Sequence, residues 1–153
     1  MGLVINQKNP DIEFSELVGQ LKFESDIKIN FDELNLPVMC GGPAESARGF
    51  MLHSNDFIRD ETMKVDDIYG VTGTVEALKE VALGAGPKDI IFALGYAGWT
   101  SGQLEEEIQQ SAWLVVDPDH ELVFAGDHED KWIRAINKLG IDPAMLSSLS
   151  GSA

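Results

Sequence analysis

A continuous apolar run, Ile90 to Leu94, stops at Gly95 and feeds a short loop that carries Gly95, Gly98 and Gly102 with two aromatics, Tyr96 and Trp99. Such a run suits a strand buried on both faces. A helix is expected immediately after it, because Thr100 and Gln103 have capping-box spacing and Leu104 and Ile108 mark a buried stripe. Large aromatics between glycines cost solubility, so this strand-to-helix corner is expected to have a packing or binding task. Glycines feeding a helix N-terminus also suit an anion. Glu105, Glu106 and Glu107 oppose that, since they already answer the positive end of the helix dipole. The loop also lacks the Lys and Ser/Thr of a P-loop. Its structural reading has Tyr96 and Trp99 folded back on the core, with the glycines permitting tight turns.

The remaining chain intersperses strands and helices without a clean βαβ repeat. Leu3 to Ile5 reads as a strand, and Phe14, Leu17, Val18 and Leu21 have helical spacing. Ser25 to Pro37 reads as an irregular link. Val38 to Cys40 is a short apolar run, Gly41-Gly42-Pro43 a sharp bend, and Gly49 to His53 a strand. Val65 to Gly70 suggests another strand. Thr74 precedes a helix with Val75, Leu78 and Ala82 on one face. Trp113 to Val116 reads as a strand, Asp117-Pro118-Asp119-His120 as a turn, and Leu122 to Phe124 as a second strand or extended segment. Asp127 caps a helix bearing Trp132, Ala135, Ile136 and Leu139, and a last helix starts at Asp142-Pro143. The tail from Ser147 to Ala153 is expected to fray. This order favours an α+β fold or a mixed sheet.

A chain of 153 residues suits one domain, and a hydrophobic fraction of 44% supplies a core. The formal net charge is -15, unevenly spread: no Lys or Arg stands between Lys88 and Lys131, a stretch rich in Asp and Glu. Affinity for nucleic acid rests on neutralised phosphates, so direct DNA binding is disfavoured, as are anionic membranes. No apolar stretch approaches the roughly 20 residues of a membrane span. One cysteine, Cys40, allows no internal disulfide and fits a cytoplasmic location. It is expected to be a small buried hydrophobe at the end of an apolar run.

Several segments together resemble the YqgE/AlgH family of small bacterial proteins. They are Gly2-Leu3-Val4-Ile5-Asn6, Gly41-Gly42-Pro43, Arg48-Gly49-Phe50-Met51-Leu52-His53, Leu94 to Trp99, Gly102-Gln103-Leu104-Glu105 with Glu107, Trp113-Leu114, Trp132, and Leu139 to Asp142. These blocks keep their order over nearly the whole chain. The resemblance implies a single α+β domain with a strongly curved or barrel-like mixed sheet flanked by helices. It also implies the family's usual label, transcriptional regulator, which comes from genetics. Given the charge, regulation through a protein or small ligand is the easier route. Members of the family carry about 30 further residues ahead of the Gly2 strand, judged against ordinary domain size. Met1 is then expected to be internal, with the lead-in strands missing. The family's closing Gly-His-Ala reads Gly151-Ser152-Ala153 here.

The candidate binding surface joins Gly41, Gly42 and Pro43 with Arg48, His53, Tyr96 and Trp99, and adds Gln103 and Glu105 at the helix start. Arg48 suits a carboxylate held by a bidentate pair, with an internal salt bridge as the plainer role. His53 suits proton transfer, or a hydrogen-bonded structural role. An alternative makes the chain a small hydrolase or lyase using His53 with Glu105 or Glu107. Residues two apart on a helix point to different sides, which tells against a paired-carboxylate site at Glu105 and Glu107. His53, His120 and His128 have no metal-ligand spacing, and no cofactor is implied. An uncovered Leu3 to Ile5 edge predicts self-association into a homo-oligomer.

Overall fold

A computed structural model describes residues 1–22, Ile29 and residues 35–149. The expected Ser25 to Pro37 link lies mostly outside the described residues, as does the end of the expected frayed tail. The chain groups into two compact units, Met1–Ala97 and Gly98–Ala153.

The first unit holds helices α1 (Phe14–Gly19) and α2 (Val75–Ala82) and strands β1 (Val38–Cys40), β2 (Ala44–Ser54), β3 (Met63–Lys64), β4 (Tyr69–Thr72) and β5 (Ile90–Tyr96). The strands form one sheet in the order β1-β5-β2-β4-β3. β1 runs parallel to β5, and the other pairs are antiparallel, so the fold is α+β with a mixed sheet. β5 is buried along its middle because it lies between β1 and β2, as its unbroken apolar run predicts.

The barrel-like or strongly curved sheet does not form. The outer strands are only three and two residues long, too short to pair around a closed wall. β1 is instead bordered by the start of the chain: Asn9 N–H donates to Val38 O at 2.7 Å, and Cys40 N–H to Gln7 O at 2.8 Å. Leu3 to Ile5 is likewise no regular strand. The segment touches the sheet through isolated bridges at Gly2 and Lys8, and Val4 N–H donates to Gly41 O at the bend. Cys40 is exposed rather than buried, because the apolar run turns outward at its last residue.

Strand alternation puts Val38, Met51, Phe92 and Leu94 on one face of the sheet, where they pack with Phe14 and Val18 of α1 and Ala77 and Val81 of α2. Phe14 meets Phe92 edge to face, ring centres 5.2 Å apart. Thr74 caps α2 by accepting from Ala77 N–H at 3.2 Å, as its position predicts.

The second unit is helical: α3 (Gln103–Gln109), α4 (His120–Phe124), a 3₁₀ turn at His128–Asp130, α5 (Lys131–Lys138) and α6 (Pro143–Leu149). Neither expected strand forms there. Leu122 to Phe124 is helical because Asp119 Oδ1 accepts Leu122 N–H at 2.8 Å and starts α4. Trp113 to Val116 has no sheet partner among the described residues. Arg134 of α5 ties the α4–α5 connection by donating to the carbonyls of Glu121, Ala125 and Asp127 at 3.1, 2.8 and 3.3 Å.

Candidate functional site

The two glycine turns of the first unit pack backbone against backbone. Gly41 N–H donates to Leu94 O at 2.7 Å, and Ala44 pairs with Tyr96. A Cβ on Gly41 would run into the carbonyl oxygen of Gly95, and one on Gly42 into the Tyr96–Ala97 peptide. Gly95 has φ +78° and lies as tightly against the carbonyl oxygen of Gly42. Only glycine permits this approach.

Beside this corner β2 is irregular between Ala44 and Gly49. Glu45 sits there at φ 43°, a left-handed conformation uncommon for a residue with a Cβ. Its carboxylate takes a hydrogen bond from the Tyr96 phenol and holds that phenol above its ordinary pKa. Arg48 Nη1 donates to Glu45 Oε2 at 3.4 Å, and its guanidinium stands 5.1 Å from the centre of the Phe50 ring. Phe50 in turn meets Tyr96 edge to face at 5.7 Å. Both members of the Arg48–Glu45 pair are more than half exposed, so the pair contributes little to stability. It uses one of five guanidinium donors.

Arg48 also stands at the rim of a cavity of about 430 Å³. Leu17, Leu21, Met51, Leu78, Phe92 and Leu94 provide its apolar lining, while Gln20, Arg48 and Thr74 provide polar groups. Gly49 and Gly73 keep the lining close to backbone. The volume falls in the range of small-molecule sites.

His53 does not line this cavity. It is fully buried, with Nε2 2.7 Å from Thr72 Oγ1 and Nδ1 2.9 Å from Ser54 O. A carbonyl only accepts, so Nδ1 carries hydrogen and Nε2 accepts from Thr72 in the neutral ring. Thr72 Oγ1 lies 2.8 Å from Thr62 Oγ1, which accepts Arg59 N–H at 2.9 Å. The Arg59 guanidinium crosses the Phe57 ring at 4.0 Å and forms a two-pronged pair with Glu80 of α2. This is a satisfied structural chain. Gly70 admits it, because a Cβ there would lie 3.0 Å from both His53 Cε1 and Thr62 Cγ2.

Trp99, Gln103 and Glu105 belong to the second unit. Glu105 is exposed on α3. Glu107 instead carries the interactions: Trp99 Nε1 and Trp113 Nε1 donate to its Oε2, and Gln103 Nε2 to its Oε1 at 2.9 Å. These three donors, Trp113 foremost, hold the Glu107 carboxyl below its ordinary pKa. Only half of the expected capping box forms. Gln103 Oε1 accepts Thr100 N–H at 3.0 Å, but the Thr100 hydroxyl also turns to that amide, leaving Gly102 at φ 79° as the cap residue. Ile108, expected on a buried stripe, is exposed. No group of three His, Cys, Asp or Glu side chains gathers to hold a metal among the described residues.

The structure therefore brings Gly41, Gly42, Pro43, Arg48 and Tyr96 to one corner, and sets His53 apart in the core. Sequence reasoning missed Glu45 and the cavity. The opposite charges of Glu45 and Arg48, three residues apart, were the available signal.

An AlgH-like family model matches residues 1–144. A UPF0301 protein of Rhodopseudomonas palustris (strain HaA2) is 48% identical over 157 residues, spanning 100% of this chain and 72% of that protein. Another, of Rhodospirillum rubrum, is 42% identical over 158 residues, spanning 100% and 78%. The solution structure of the AlgH protein from Pseudomonas aeruginosa matches with a TM-score of 0.74 at 31% identity, covering 96% of this chain and 76% of that one. The chain thus belongs to the AlgH-like family.

Proposed function

We propose that this chain works by binding, and that its ligand is a small monocarboxylic acid with an apolar body. The carrying observation is the Arg48 guanidinium lining a cavity of about 430 Å³ whose wall is mostly apolar, with Gln20 and Thr74 as further polar groups; the guanidinium is held by one long bond to Glu45. A carboxylate docked on the remaining guanidinium donors gains a two-pronged pair, and the hydrocarbon body gains burial against Met51, Phe92 and Leu94. The alternative pairing of His53 with Glu105 or Glu107 is less favoured, because His53 is fully buried with both ring nitrogens engaged within the fold, and both carboxylate oxygens of Glu107 are engaged too, whereas Glu105 is exposed. Any effect on transcription is indirect, since a chain of net charge -15 repels DNA. We place it in the cytoplasm. No helix among the described residues is long and apolar enough to cross a membrane.

Titrating the protein with hexanoate and with 1-hexanol, followed by amide NMR, tests this. Hexanoate is expected to move the Arg48, Gly73 and Thr74 resonances. Arg48→Gln is expected to weaken it about tenfold, and hexanol to bind no better to wild type than to the variant. Equal hexanoate affinity in wild type and variant would remove the reading.

A further inference from the structure

The hydrogen bonds around His53 all run in one direction. Nδ1 gives its hydrogen to Ser54 O, so Nε2 of the neutral ring accepts from the Thr72 hydroxyl. The Thr72 hydrogen is then committed to His53, and Thr62 must donate the 2.8 Å bond between the two threonine hydroxyls. Thr62 Oγ1 in turn accepts Arg59 N–H at 2.9 Å. The chain thus starts at a half-buried hydroxyl and ends on a ring that solvent does not reach.

A second arrangement satisfies the same buried atoms. With a proton on Nε2 the ring donates at both nitrogens, to Ser54 O and to Thr72 Oγ1. The Thr72 hydrogen then turns to Thr62 Oγ1, which has a lone pair for it beside the one that takes Arg59 N–H, and the Thr62 hydrogen turns to solvent. Both hydroxyls reverse, and no buried group loses its partner. The charged groups around the ring admit a cation. Asp56, two residues after Ser54, is held below the ordinary carboxyl pKa, first by the Ser54 hydroxyl and among the lesser causes by His53. Lys88 N–H also bonds Asp56, Asp89 precedes the strand partner of His53, and the Arg59 charge is matched by Glu80 of α2. Gly70 of β4 brings no charge against the ring. We propose that the His53–Thr72–Thr62 chain is a pH switch with two fully bonded states, a neutral ring with the hydroxyls pointing toward it and an imidazolium with the hydroxyls pointing away. Its surface end is the Arg59 turn, so acidification is reported to the tie between that turn and α2. The inference does not rest on the reading of the Arg48 cavity.

Ring-nitrogen NMR of the whole protein with isotope-labelled histidine tests this, with His120 and His128 as internal references. The neutral His53 ring is expected to carry hydrogen on Nδ1 and none on Nε2. On acidification both nitrogens are expected to become protonated while near-UV circular dichroism stays native. The Arg59, Thr62 and Gly70 amides are expected to shift with the same midpoint. Thr62→Val keeps the shape and removes the oxygen that the reversed Thr72 hydroxyl needs. It is expected to weaken proton binding at His53 at least about tenfold, which is about one pH unit in midpoint. Thr62→Ser is expected to keep the wild-type midpoint, and neither substitution to move His120 or His128. Four outcomes would overturn the proposal. They are hydrogen on Nε2 of the neutral ring, loss of the native near-UV signal before His53 is charged, amides that do not follow the His53 midpoint, and an unchanged midpoint in Thr62→Val. The first three need only the wild-type chain.

Discussion

Trp99 and Trp113 direct their indole N–H groups to the same oxygen, Oε2 of Glu107, at 3.1 and 2.7 Å, with ring centres 5.9 Å apart and edge to face. One carboxylate thus fastens the start of α3 to the chain that follows it. Its pKa is lowered, foremost by the Trp113 bond. The stabilisation is therefore fully present above the ordinary glutamate value of about 4.3, and is lost as pH falls through the lowered folded value. Tryptophan emission is expected to change in that acid window in wild type. Glu107→Gln keeps an acceptor without a charge, so its emission should stay flat there. An identical acid transition in both proteins would sink the assignment.

His53 is expected to matter for stability, not chemistry. His53→Ala leaves Thr72 Oγ1 and Ser54 O without their buried partner and opens space beside Phe57. The expected cost is about 3 kcal/mol by urea unfolding. Arg48→Gln, on an exposed pair, is expected to stay within about 0.5 kcal/mol. A reversed order of the two would contradict the structural role of His53.

Two glycines make a matched pair for the corner. A methyl at Gly41 has no room against the Gly95 carbonyl, whereas one at Gly19, at the end of α1, meets nothing within 4 Å. Gly41→Ala is expected to cost more than about 3 kcal/mol or to yield no folded protein. Gly19→Ala is expected to be neutral or to add up to about 1 kcal/mol. Thermal unfolding of the two variants decides this, and a Gly41→Ala protein as stable as wild type would exclude the close approach.

Where local chemistry decided the outcome, the sequence was readable. The continuous apolar run of β5, the Thr74 cap of α2 and the special geometry of Gly41, Gly42 and Gly95 follow from residue type. Errors arose where a neighbour decided. Leu122 to Phe124 has strand composition, but the Asp119 side chain caps it as a helix. Trp113 to Val116 has strand composition too, yet finds no strand to join among the described residues. Leu3 to Ile5 meets the Gly41 bend instead of a straight edge. At the candidate site Arg48 was legible as an isolated cation. Glu45 was legible only as an opposite charge three residues from Arg48; its left-handed backbone comes from the irregularity in β2, which no residue type announces. His53 looked reactive by type, and only its two buried partners reveal a structural role.

Lys131, the first residue of α5, is 5% exposed, and burial, reinforced by Arg134, lowers its pKa to about 8. An unfolded lysine titrates near 10.4. Below about pH 8 the ammonium is charged in both states, so this residue adds no pH dependence there. Between the two values the unfolded chain holds a proton that the folded chain has released, and stability rises with pH. The rise is expected to reach about 2 kcal/mol between pH 8 and 10. Lys131→Met removes the titrating group while keeping most of the buried volume, so its stability curve should lack this rise. Guanidinium unfolding of both proteins at pH 7, 8, 9 and 10 isolates the effect from other groups. Parallel curves would place the charge of Lys131 in solvent.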